Sequence, residues 1–281
     1  MELHDRRPTV AIPDLNGRYE RLLLALEYAP PRDHFVVLLG DMIDEGNGTA
    51  QILRDIRQIH AEFGLQVLAG NHEELMINAL FGPPGQRHAP DARPRDTDEW
   101  RRWMKNGGQG TLDSYRSKKA LLDDAEWLRG HAKRWFIRDR WLYSHATRPH
   151  VMQRPITEEQ LIATGVDLLL WDRPGGTSNL YELREDLIGS VHGHTPQRVP
   201  ERMVGPDKKP AWFIDLGKTA RDIAVHHSEH GVKILKAEPI APKTPKGSAN
   251  LSLSGVSLGS TSLFGLLKNR RASNTKTAPG S

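Results

Sequence analysis

An α/β fold with parallel strand pairing is predicted by three observations on this 281-residue sequence. Short apolar runs alternate with stretches of helical periodicity. Five of the segments that close or follow such runs carry the metal-ligand types Asp, Asn or His: Pro13-Asp14-Leu15-Asn16-Gly17, Gly40-Asp41-Met42-Ile43-Asp44, Gly70-Asn71-His72-Glu73, Ser144-His145-Ala146 and His192-Gly193-His194-Thr195. The composition, 37% hydrophobic and 26% charged, is that of a chain able to bury a sizeable core.

The elements follow in order. Thr9 to Leu15 is a short apolar strand, and Gly17 to Ala29 places Tyr19, Leu22, Leu23 and Leu26 at helical spacing. His34 to Leu39 reads as a buried strand. Thr49 to Phe63 is a helix with Ile52, Leu53, Ile56 and Ile59 on one face, Leu65 to Ala69 a third strand, and Glu73 to Leu80 a helix. Strands alternating with helices pair in parallel, so the loops at their carboxyl ends converge on one crevice, with Asp14, Asp41 and Asn71 at its edge. Gly82 to Asp98 is rich in breakers and reads as a surface excursion. Helices follow at Glu99 to Met104 and Ala120 to His131, then a strand or hairpin from Trp135 to Ser144. Thr157 to Thr164 is helical, with Thr157 and Gln160 at capping-box spacing. Leu187 to Val191 and Trp212 to Leu216 are strands, and Ile223 to His227 with Val232 to Lys236 forms a terminal hairpin. The late strands point to a second sheet.

Residues 1–238 form the folded domain and 239–281 a disordered basic tail rich in Ser, Gly and Pro. The tail holds six basic residues and no acid, so of the net charge of +4 the remainder carries −2. The folded body is therefore not basic, and no nucleic-acid partner is expected. The apolar piece Ser262 to Leu267 is a docking motif for a partner or an unstructured end. Cysteine is absent, which excludes disulfides, thiolate metal sites and cysteine nucleophiles. No run approaches the roughly 18 apolar residues of a membrane span, and the first residues lack the apolar stretch of a secretory signal, so a cytoplasmic location is expected.

Carboxylate, carboxamide and imidazole donors suit divalent ions such as Mn, Fe, Zn or Mg that activate water against phosphorus. Asp41 is the natural bridge between two cations, with Asp14 and Asn16 completing one coordination sphere and Asn71, His145 and His194 the other. Water activated between the ions is the expected nucleophile. His72 is the candidate general acid, oriented and kept protonated by Asp44. Arg173, in Trp171-Asp172-Arg173-Pro174, is placed to clamp phosphate oxygens, and Arg18 is a second candidate for that contact. Glu73 and Glu74 read as support for a helix N-terminus, where negative charge is favoured.

At these residues the chain resembles the phosphoprotein phosphatases of the calcineurin-like metallophosphoesterase superfamily, in the bacterial and phage branch typified by lambda phosphatase. The family pattern Asp-x-His-Gly, Gly-Asp-x-x-Asp-Arg-Gly, Gly-Asn-His-Glu, a lone His and Gly-His-Thr appears as Asp14 to Gly17, Gly40 to Gly46, Gly70 to Glu73, His145 and Gly193 to Thr195. Trp103 with Asn106-Gly107-Gly108, Thr111-Leu112 with Ser114-Tyr115, and Trp171 with Arg173 extend the likeness, which runs from about residue 9 to 236. The resemblance implies a sandwich of two mixed β-sheets flanked by helices. It also implies a metal-dependent phosphomonoester hydrolase acting on phosphorylated proteins (Ser/Thr or Tyr) or small phosphoesters, with two divalent ions, foremost Mn. Two alternatives stand beside it: a diadenosine tetraphosphate hydrolase, and a catalytically impaired relative that binds a partner.

Two positions depart from the pattern. Asn16 stands where the family has histidine, which implies weaker binding at that ion and a shift from Fe or Zn toward Mn or Mg. Glu45 stands where the family has an arginine that grips phosphate. A negative charge there is costly unless it turns away or pairs with a cation.

Overall fold

In the computed structural model, which describes residues 5–85, 97–148, 167–173 and 180–237, ten strands form two sheets. The expected helix at Thr157 to Thr164, most of the Gly82 to Asp98 excursion and the tail from 239 lie outside the described residues. The first sheet has the order β10-β9-β1-β2-β3, from β1 (Thr9–Ile12), β2 (Phe35–Leu38), β3 (Gln66–Val67), β9 (Ile223–His227) and β10 (Gly231–Leu235). The second, β4-β5-β6-β8-β7, is built from β4 (Trp135–Arg138), β5 (Trp141–Ser144), β6 (Gly189–His192), β7 (Glu201–Val204) and β8 (Pro210–Phe213). Both are mixed: β1-β2-β3 and β5-β6-β8 pair in parallel, while the flanking strands run antiparallel.

Short apolar strands form here because they are buried on both faces. Every residue of β1 is buried, and the faces of the two sheets meet in a core of Ala11, Val37, Leu39 and Leu68 against Trp141, Tyr143, Val191 and Ile214. Helix α1 (Tyr19–Tyr28) buries Leu22, Ala25 and Leu26, and α2 (Thr49–Phe63) buries Ile52, Leu53, Ile56 and Ile59, the stripe that periodicity predicts. Helices α3 (Asn71–Phe81), α4 (Asp98–Lys105), α5 (Gly108–Ser114), α6 (Lys118–His131) and α7 (Asp167–Trp171) complete the described helices. The β4-β5 hairpin turns on Asp139 and Arg140, whose φ values of 53° and 64° are those of a two-residue turn matched to strand twist.

Three differences from the sequence reading have physical causes. Helix α5 starts at Gly108 and contains Gly110, residues that weigh against a helix on propensity; Thr111, buried within it, supplies the tertiary anchor. Strand β7 was not expected because its burial does not alternate, Glu201 and Arg202 being exposed and Met203 and Val204 half-buried, and it is an edge strand that pairs with β8. The terminal hairpin does not extend the second sheet. It returns to the first, where His227 and His226 pair with Val10 and Ala11. Among the described residues no helix is long and apolar enough to cross a membrane.

The arrangement sends six strand ends to one place. β1, β2 and β3 lead to Asp14, Asp41 and Asn71; β5, β6 and β8 lead to His145, His194 and Asp215.

Candidate metal centre

Asp41, His145 and His194, all buried, bring one possible ligand atom each within 4.8 Å of one another. Hydrogen bonding decides what His145 offers. Its Nδ1–H donates to the Leu39 carbonyl at 2.8 Å, which leaves the Nε2 lone pair facing Asn71 Oδ1 at 3.0 Å and Asp41 Oδ1 at 3.4 Å. A lone pair aimed at oxygen acceptors is repulsive without a cation among them. His194 Nε2 is also buried with no hydrogen-bond partner among the described residues. Burial pushes both imidazoles down, His194 to about 3 with His145 contributing, so both are neutral and competent as ligands. The donor set therefore fits a divalent cation.

Backbone holds the carboxylates close. A Cβ at Gly70 would lie 2.1 Å from Asp41 Oδ1, and one at Gly193 would lie 2.2 Å from Asp14 Oδ1. Asp14 Oδ1 accepts from the His194 backbone N–H at 2.9 Å. Burial, with the charges of Asp215 and Asp41, pushes the Asp14 carboxyl well above the usual range. Asp215, buried beyond β8 and holding the Gly217 N–H at 2.8 Å, is likewise pushed up by burial, to about 6. Two buried carboxylates that resist ionising beside the charge of Asp41 make a second cation welcome on this side. Asn16, in left-handed conformation at φ 52°, is buried beside them, and its carboxamide has no hydrogen-bond partner among the described residues.

His72 is set apart from this cluster by its orientation. Its Nδ1 meets Asp44 Oδ2 at 2.8 Å, and its Nε2 lies 3.8 Å from Asp41 Oδ2. Burial works against the imidazolium, yet Asp41, Asp44 and Glu73 outweigh it and lift His72 to about 9. Asp44 is fully buried and accepts from Trp103 Nε1 at 3.0 Å and Thr111 Oγ1 at 2.7 Å, so its carboxylate has one available orientation.

Glu73 does cap α3, as expected, by accepting from Gly70 N–H at 2.8 Å; it also accepts from the Asp41 and Met42 N–H groups, each at 2.8 Å. Glu74 lies in the same first turn and pairs with Arg134. His192 is a satisfied core residue between Ser144 and Ser190. Asp215, Lys218 and the buried Arg21 were not anticipated. Arg21 donates to the Asp14 carbonyl at 3.1 Å and the Gly217 carbonyl at 2.5 Å, tying the first loop to the one after β8. An arginine on the apolar face of a helical pattern is the one local signal that could have exposed this role.

The predicted phosphate contacts lie around the cluster. Arg173 is exposed, and its positive charge is felt by His194 and Asp215. Arg18 directs Nε to the Lys218 carbonyl at 2.7 Å and lies 4.0 Å from Glu20. Glu45 has turned to a cation: Lys218 Nζ donates to its Oε1 at 2.7 Å.

Comparison with known proteins places these features in context. Residues 7–236 match the family described as Calcineurin-like phosphoesterase. A symmetrical bis(5'-nucleosyl)-tetraphosphatase of Chromohalobacter salexigens is 33% identical over 104 residues, covering 34% of this chain and 37% of that protein. Its namesake from Klebsiella pneumoniae subsp. pneumoniae is 27% identical over 124 residues, 42% of each chain. The match thus spans less than half the length of either curated relative. A protein serine/threonine phosphatase from Saccharomyces cerevisiae is 14% identical with a TM-score of 0.53, covering 84% of this chain and 82% of the other, a likeness of fold.

Proposed function

Because the chain belongs to the calcineurin-like phosphoesterase family, we propose that it hydrolyses phosphoesters at the strand-end cluster, with six residues holding two divalent cations. Asp41 would be shared between them; Asp14 and Asn16 would hold one, and Asn71, His145 and His194 the other. The observation that carries this reading is the His145 Nε2 lone pair directed at the Asn71 and Asp41 oxygens, beside a buried His194 Nε2 that has no partner among the described residues. When bound, the cations would acidify a water and offset the charge of the phosphate. The donor set, with Asn16 as an oxygen ligand, favours Mn.

The remaining work belongs to the chain's own groups. His72 keeps a proton on Nε2 because Asp44 accepts from Nδ1, and it hands that proton to the departing ester oxygen. Trp103 and Thr111 prevent Asp44 from rotating away. Arg173 draws the phosphate oxygens toward His194.

For the substrate, the reading is a phosphomonoester, with phosphorylated Ser, Thr or Tyr in a protein as the physiological form. A second reading, a dinucleoside tetraphosphate, is favoured by the names of the two bacterial relatives. Mn-loaded protein is assayed on an aryl phosphate, a phosphopeptide and diadenosine tetraphosphate. Release of orthophosphate from the peptide supports the first reading, and release of nucleoside diphosphate from the dinucleotide the second. His72→Ala should lower kcat by roughly 10²- to 10³-fold on whichever substrate is used. Absence of metal-dependent turnover, with fewer than two ions bound per chain, would instead indicate a binding protein.

A further inference from the structure

The Glu45–Lys218 pair joins two loops that the site depends on. Glu45 follows Asp44 directly, and its position is fixed by its backbone: φ is 57°, and its N–H donates to the Gly107 carbonyl at 3.1 Å. Lys218 is fixed from the other side. Its carbonyl accepts from Arg18, and the neighbouring Gly217 carbonyl accepts from Arg21, which also holds the Asp14 carbonyl. The ammonium therefore stands between the loop that carries Asp14 and Asn16 and the loop that carries Asp41 and Asp44.

The neighbouring cations differ in how far they are committed. Arg21 is buried and spends its guanidinium on the carbonyls of Asp14, Gly217 and Ala220. Arg18 holds the Lys218 carbonyl. Lys218 has 60% of its side chain exposed and, among the described residues, a single carboxylate partner, itself 28% exposed. An ion pair so open to water is weak, and a doubly charged anion outcompetes a carboxylate for the ammonium.

We propose that Lys218 is the anion-binding residue of this rim, and that Glu45 holds it in place until the phosphate group of a substrate takes Glu45's position. The inference rests on the phosphoester-hydrolase reading for its physiological ligand, but not for its test. It assigns Glu45 a role of its own: the carboxylate competes with the substrate, so its removal strengthens binding while removal of its partner weakens it. A pair that merely braced two loops would respond in the same direction to loss of either member.

The experiment is titration calorimetry of inorganic phosphate into the Mn-loaded full chain, with KM and kcat for an aryl phosphate measured in parallel. Lys218→Met should weaken phosphate about fivefold and raise KM by a similar factor, with kcat moving less than KM. Lys218→Arg should stay within about twofold of the parent. Glu45→Gln should tighten phosphate about two- to threefold, and the double variant should follow Lys218→Met. Thermal melting of each variant confirms that it folds. Unchanged phosphate affinity in Lys218→Met, or weakening in Glu45→Gln to match it, overturns the proposal. If no substrate turns over but the two variants shift phosphate affinity in opposite directions, the hydrolase reading fails and the role of Lys218 stands.

Discussion

Asn16 offers a carboxamide oxygen from a left-handed, buried backbone position and makes no side-chain hydrogen bond among the described residues. Around it, the carboxylates of Asp14 and Asp215 are held unwillingly close, each pushed upward by burial. An imidazole at position 16 would add a nitrogen donor of higher affinity for late first-row ions. Asn16→His should therefore tighten Mn or Zn at the weaker of two sites by about tenfold in a calorimetric titration, and an unchanged isotherm would remove Asn16 from the ligand set. The strand-end groups were legible in the sequence because each follows an apolar run directly, four of the five with Gly beside Asp, Asn or His and His145 alone without one. Asp215 and Lys218 were not, because their significance depends on what they meet across the fold. The Lys218 partner lies 173 residues away.

Helix α3 shows how one element positions residues it does not contain. Glu73 gathers the N–H groups of Gly70, Asp41 and Met42, so the start of α3 and the loop after β2 share one carboxylate. Burial and the Asp41 charge push its pKa up to about 7, against the pull of the three amide donors. Glu73→Gln keeps the shape but points an amide N–H₂ at groups that only donate. The expected loss is about 2–4 kcal/mol, read as a lower Tm at pH 8, together with weaker Mn binding as the Asp41 loop loosens. An unaltered Tm would mean the loop is held by its other contacts alone. Sequence periodicity identified α1, α2, α3, α4 and α6 because each carries an apolar stripe or a helical run of its own. It could not identify α5, which exists because Thr111 reaches Asp44, nor β7, which exists because β8 offers an edge.

In the molecule taken as one body, the space between the sheets holds a histidine that the site does not use. His226 packs against Trp141 at 4.4 Å between ring centroids, and neither of its nitrogens has a hydrogen-bond partner among the described residues. Burial, aided by the His227 charge, pushes it down to about 4 from an ordinary 6.5. Between those values the unfolded chain takes up a proton that the folded chain declines, so stability is complete above about pH 6.5 and is lost as pH falls toward 4. The contribution is roughly 2–3 kcal/mol. His226→Leu should flatten the fall in Tm between pH 7 and pH 4.5 relative to the parent, and parallel profiles would show that His226 does not titrate in that window. The same strand carries a consequence for biosynthesis. β1 lies between β2 and β9, and its Thr9 N–H is received by Ser228 Oγ. A ribosome must therefore have passed the β9–β10 hairpin before β1 gains its second neighbour. Until then a nascent chain holding all six proposed ligands still exposes an apolar sheet edge, which is the surface a chaperone recognises and an aggregate recruits.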